Sequence, residues 1–139
     1  AALGSGAALA RFQRMVASHG GQLDWERADC GLEIAPVAAV VCAPRQAYLA
    51  AVDGREIGMA VVDLRGGRQR KDDQVDPAVG LRWLGRPGQR HAAGEPVAEI
   101  LCRPGQDGSE ALRRVAGALA WSDEPASVPP LVLGRLRAP

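Results

Sequence analysis

DGREIGMAVVDLRGGRQRKDDQVDPAVG, residues 53–80, is the stretch from which the rest of the chain can be read. Its first half predicts a short helix. Asp53 is placed to cap it, and Ile57, Val61 and Leu64 recur at helical spacing. Gly66 and Gly67 should end the helix, because glycine takes the left-handed conformation that a helix exit usually needs. From Arg68 to Asp76 the chain is polar. Arg68, Arg70, Lys71, Asp72, Asp73 and Asp76 crowd this loop, and only Val75 is apolar. Such a segment is either a solvated connector or a loop that closes over something anionic. Composition favours the connector, since loops are mostly surface linkers.

Toward the N-terminus, Ala47 to Val52 around Tyr48 and Leu49 predicts a strand, set off by Ala43-Pro44 from a second one at Val37 to Cys42. The latter is a continuous apolar run and reads as buried. Gln22 to Pro36 is a loop with Trp25 and Leu32 as expected anchors. Ala7 to His19 predicts an amphipathic packing helix, capped by Ser5 and ended by Gly20-Gly21, with Ala8, Phe12, Met15, Val16 and His19 on one face. Toward the C-terminus, Val79 to Leu84 is a strand. Turns follow at Arg86-Pro87-Gly88 and at His91 to Glu95, and Val97, Ile100 and Leu101 supply core. Glu110 to Trp121 predicts a helix capped by Ser109 and stopped by Ser122-Asp123-Glu124-Pro125. Leu112, Val115, Ala116 and Leu119 should face inward, and Arg113 and Arg114 should face water. Pro129 to Leu136 reads as a short edge strand, kept off a sheet interior by its prolines.

The chain's 139 residues suffice for one domain burying roughly two-thirds of its unfolded surface. Hydrophobic residues at 47% and charged residues at 24% are ordinary for a soluble protein, and the net charge of +1 predicts neither nucleic acid nor an anionic membrane as partner. Cys30, Cys42 and Cys102 are widely spaced and odd in number, so buried free thiols are expected rather than disulfides or a metal site. No apolar run approaches the ~20 residues that span a bilayer. The opening AALGSGAALARF lacks the plan of a signal peptide and an initiating methionine, so the expectation is a piece of a longer, cytoplasmic protein.

No catalytic constellation is legible. There is no GxSxG elbow and no phosphate loop ending in GK[ST], and neither His19 nor His91 belongs to a recognisable nucleophile motif. His91, in a predicted turn, reads as an exposed surface residue rather than a general base. Asp24, Glu26, Asp29 and Glu33 are too irregularly spaced for calcium. Asp73 and Asp76 could form a paired-carboxylate site, but read more simply as turn-makers with a salt bridge to Arg68 or Arg70. Tyr48 and the tryptophans are too scattered to stack single-stranded nucleic acid.

Several of these stretches together resemble the C-terminal region of thymidine phosphorylases and their pyrimidine nucleoside phosphorylase relatives. The resemblance is carried by Gly58-Met59-Ala60, by Gly66, Gly67 and Arg68, and by Asp73, Val75, Asp76, Val79 and Gly80. SGAALARFQRMVASHGG, the GQRHAAGEPVAEI turn and the tail ALAWSDEPASVPPLVLGRL extend it over nearly the whole chain. The family usually has a third glycine where this chain has Arg65. The resemblance implies an α+β fold: an α/β-hammerhead with barrel-sandwich-like strands plus flanking helices. Residues 1–35 would be a helix and linker from the edge of the catalytic α/β domain, and 36–139 the C-terminal domain. It implies an enzyme converting thymidine and phosphate to thymine and 2-deoxy-D-ribose 1-phosphate, a homodimer with phosphate as co-substrate and no other cofactor. The K-H-S-[TS]-G-G phosphate stretch and the pyrimidine-binding residues of that family are missing from this chain. No catalytic, substrate-binding or metal residue can therefore be carried over. The expected role is scaffold for an upstream catalytic domain, with Gly66, Gly67, Arg68, Asp73 and Asp76 as a domain-closure loop. The rival is a stand-alone barrel-sandwich module of the lipoyl or biotinyl kind, for which Lys71 is the sole modifiable lysine.

Overall fold

The computed structural model describes residues 2–130 and 132–135. The chain divides into two compact units, Ala1–Glu33 and Ile34–Pro139. The first holds helix α1 (Ala7–Ser18) and a loop. Ser5 is not its cap. Left-handed Gly6 takes that position with no side-chain bond, and Ser5 Oγ lies a long 3.5 Å from the Ala7 N–H. The helix closes as expected, with Gly20 at φ 77° and Gly20 and Gly21 donating back to Ala17 and Val16. Phe12 meets Trp25 edge-on at 5.7 Å. Trp25 is half-buried, but the other expected anchor, Leu32, is 58% exposed. Asp29 pairs with Arg27 and caps the Gly31 N–H.

The second unit is built from β1 (Val37–Cys42), β2 (Ala47–Val52), α2 (Gly54–Asp63), β3 (Gly80–Trp83), β4 (Arg90–His91), β5 (Pro96–Leu101), α3 (Ser109–Gly117) and β6 (Leu119–Ser122). The strands form two open antiparallel sheets, ordered β1-β5-β3 and β4-β2-β6. The architecture is thus α+β, with no closed barrel among the described residues. Central β5 is apolar through Val97, Ala98, Ile100 and Leu101 because both of its faces are covered. These side chains join Val41, Leu49, Ala60, Leu64, Val79, Ala111, Val115 and Leu119 in one core.

The structure departs from several expectations here, mostly for topological reasons. β1 is apolar yet an edge strand, so only Val41 is buried while Val37, Val40 and Cys42 are exposed. The expected set of buried thiols therefore reduces to Cys102, with Cys30 half-buried and Cys42 exposed. The last helix stops at Gly117, and Leu119–Ser122 pairs with β2 as a strand. The helical period of the sequence runs on through Gly117 and so does not separate the two elements. Gly108, not Ser109, is the N-cap. Arg114 does not face water. It reaches α2, with Nη1 2.6 Å from Glu56 and Nε 2.8 Å from Asp63. Residues 129, 130 and 132–135 form no strand, and residues 131 and 136 of that predicted element lie outside the described residues.

Candidate functional site

The charged loop begins where α2 ends. Asp53 caps the helix as predicted, accepting from the N–H groups of Arg55 at 3.0 Å and Glu56 at 3.2 Å. At the other end the Gly66 N–H donates to Val61 O and the Arg65 N–H to Val62 O, both at 2.9 Å. That pair of bonds needs one left-handed residue, and the residue is Arg65 at φ 66°, not either glycine. Gly66 and Gly67 are needed for close approach instead. A Cβ on Gly66 would lie 2.7 Å from Val61 Cγ1 and 3.3 Å from Val79 O, and one on Gly67 2.8 Å from Val62 Cγ2. The expected conformational role of these glycines is corrected to a packing role.

Asp73 organises the tip of the loop. Its Oδ2 accepts from the N–H groups of Gln69 at 3.0 Å and Arg70 at 2.8 Å, and its own N–H donates to Arg70 O. Asp76 closes the base. It caps the Ala78 N–H at 3.0 Å and takes a two-pronged pair from Arg103, Nε at 2.7 Å and Nη2 at 2.9 Å. The expected partners, Arg68 and Arg70, are not used. Arg103 arrives from the end of β5, a pairing that sequence proximity could not suggest. It holds the Asp76 carboxyl well below the usual range, at about 2, with help from the Ala78 amide. Arg68, Arg70 and Lys71 remain exposed at the tip. Two clefts, of about 480 and 460 Å³, flank the left-handed residue, and both are lined by Asp63 and Arg65. The structure thus brings Gly66, Gly67, Asp73 and Asp76 into one closed loop, with Arg68 on its outer side. Lys71 lies in a turn between a helix and a strand, not on a hairpin between strands.

Sequence reasoning missed His91. It is 2% exposed rather than a surface residue, held on β4 with its ring edge-on to Trp121 at 5.9 Å. Its Nδ1 lies 2.8 Å from Glu95 Oε1. The Ala92 N–H and then His91 lower the Glu95 carboxyl, so it is ionised and accepts, and Nδ1 must carry the ring proton. Nε2 is buried without a hydrogen-bond partner. The signal available in the sequence was the GEP turn, whose glutamate points back at the ring. Among the described residues no group of histidine, cysteine, aspartate and glutamate is arranged to hold a metal ion, and no helix is long and apolar enough to cross a membrane.

The chain is 41% identical over 136 residues to the thymidine phosphorylase of Sinorhizobium fredii, covering 97% of this chain and 31% of that protein. The thymidine phosphorylase of Rhizobium meliloti is 39% identical over 137 residues, 98% of this chain and 31% of the relative. That of Burkholderia cenocepacia is 47% identical over 103 residues, 73% and 24% respectively. The chain thus spans about a third or less of the length of these curated relatives. Residues 48–122, from β2 through β6 and including the whole charged loop, match the pyrimidine nucleoside phosphorylase C-terminal domain, and the chain belongs to that family.

Proposed function

We propose that this chain is the C-terminal part of a thymidine phosphorylase, and that it serves as scaffold and domain-closure element rather than as the seat of the chemistry. The observation that carries the reading is the match to thymidine phosphorylases over 97% of the chain but only 31% of the relative. In the complete enzyme a phosphate oxygen bonds to C1′ of the sugar as the bond from C1′ to the thymine nitrogen breaks, through an oxocarbenium-like sugar. Thymine and 2-deoxy-D-ribose 1-phosphate leave. Phosphate is the co-substrate, and no further cofactor enters. The catalytic domain lies in the portion of the relatives that this chain does not cover, and the enzyme works as a cytoplasmic homodimer. In finer detail the fold is read as an α/β-hammerhead with barrel-sandwich-like strands. The placement of α2 between β2 and β3, and the turn between β4 and β5, support that reading.

The loop from Gly66 to Asp76 is the element proposed to act when the domains close. Its exposed Arg68, Arg70 and Lys71, standing on a base tied by Asp76, support this role. Two assays test the proposal. Thymine release from thymidine and phosphate should be undetectable with this chain alone and should appear when the remaining portion of the enzyme is supplied; turnover by the chain alone would refute the scaffold role. In the complete enzyme Arg68→Ala should lower kcat/KM, and an unchanged value would remove the closure role.

A further inference from the structure

We infer that the turn Arg103–Gln106 is a staple that fixes both ends of the charged loop, and that Arg103, acting through Asp76, is the positioning residue that sets where the loop rests. The functional importance of that resting position depends on the closure reading above; the staple itself does not. Before the loop, Gln106 Nε2 donates to Leu64 O at 2.8 Å, satisfying a carbonyl at the end of α2. After the loop, Arg103 grips the Asp76 carboxylate with two parallel N–H groups, the geometry in which guanidinium and carboxylate bind most specifically. The two ends are also tied to each other, since the Asp76 N–H donates to Arg65 O at 2.9 Å.

The staple is preformed. Pro104 and left-handed Gly105 (φ 81°) occupy the central positions of a turn closed by the Gln106 N–H on Arg103 O at 3.0 Å, the pattern of a type II turn. The Arg103 N–H in turn donates to Gln106 Oε1 at 3.2 Å. Just upstream, Cys102 is buried and its N–H donates to Pro36 O, so the staple stands on the core. At the start of the loop the chain runs close against α2, since a Cβ on Gly66 would meet Val61 and one on Gly67 would meet Val62. Between the fixed ends, the tip is held by Asp73 on Gln69 and Arg70, contacts internal to the loop. A loop pinned at its base and folded within itself reaches a partner with little ordering left to be done.

The test is amide hydrogen exchange on this chain and on its Arg103→Gln, Arg103→Lys and Asp76→Asn variants, with denaturant unfolding as the control for global stability. Arg103→Gln and Asp76→Asn should speed exchange within residues 66–76 by about fivefold or more, leaving α2 and α3 protected. Arg103→Lys should fall between, because an ammonium cannot reproduce the two-pronged grip. Loop exchange that stays at the parent rate overturns the inference. Exchange that rises evenly over the whole domain, with lysine no better than glutamine, overturns it too, since that is the mark of a merely structural residue. In the complete enzyme, faster loop exchange with kcat/KM untouched by Arg103→Gln and by Arg68→Ala would uphold the staple and refute closure.

Discussion

Arg65 shows how one side chain can be carried against the preference of its own backbone. A non-glycine residue in the left-handed region costs roughly 1–2 kcal/mol, of which glycine would return part while adding freedom to the unfolded chain. Arg65→Gly should therefore stabilise the domain by about 0.5–1 kcal/mol in urea unfolding, whereas Arg65→Ala, still left-handed, should gain nothing. The sequence told that a helix ended at this point, and the family resemblance marked Arg65 as a departure from glycine. It did not tell which residue turns left, because the neighbouring glycines drew the expectation to themselves. His91 was misread for a related reason: a polar residue in a turn looks exposed until its glutamate and tryptophan partners are seen. His91→Ala should cost about 2–3 kcal/mol through the cavity it leaves and the lost bond to Glu95, while His91→Leu, which fills most of that space but also loses the bond, should cost less.

At the level of elements, α1 and α2 end by the same pair of backbone bonds, the first through Gly20 and the second through Arg65. The glycine after each then has to clear a valine one turn back, Val16 for Gly21 and Val61 for Gly66. Gly66→Ala should cost about 1–3 kcal/mol, since its Cβ meets the carbonyls of both Val61 and Val79 and neither can rotate away. Gly67→Ala should cost less, because the nearest obstacle there is a side-chain methyl group. The loop also predicts an acid response. The Asp76 carboxyl is lowered in the folded state, so its contribution is complete above the ordinary carboxylate range near about 4 and is lost as pH falls toward about 2. Asp76→Asn should remove that part of the acid transition in a circular-dichroism titration. The Asp53 cap, the glycine exit of α1 and the strands β1, β2 and β3 were legible from local pattern. Arg103 on Asp76, Arg114 on Glu56 and Asp63, and the exposure of β1 were not, because each depends on which elements become neighbours.

Across the whole molecule, the buried core is drawn entirely from the second unit, between Ala35 and Leu119. A chain beginning at residue 34 should consequently keep a cooperative unfolding transition. A peptide of residues 1–33 should be largely unfolded, since a helix of about 12 residues is marginal by itself in water. Far-ultraviolet circular dichroism of the two pieces checks both. The family was legible because its motifs are local and occur in order. The mirror-image backbone at Arg65 has a synthetic consequence. A D-arginine there would prefer the observed φ and keep its guanidinium, so a chain joined chemically at Cys42 and Cys102, which bracket this position, would separate what the arginine's charge does from what its handedness costs.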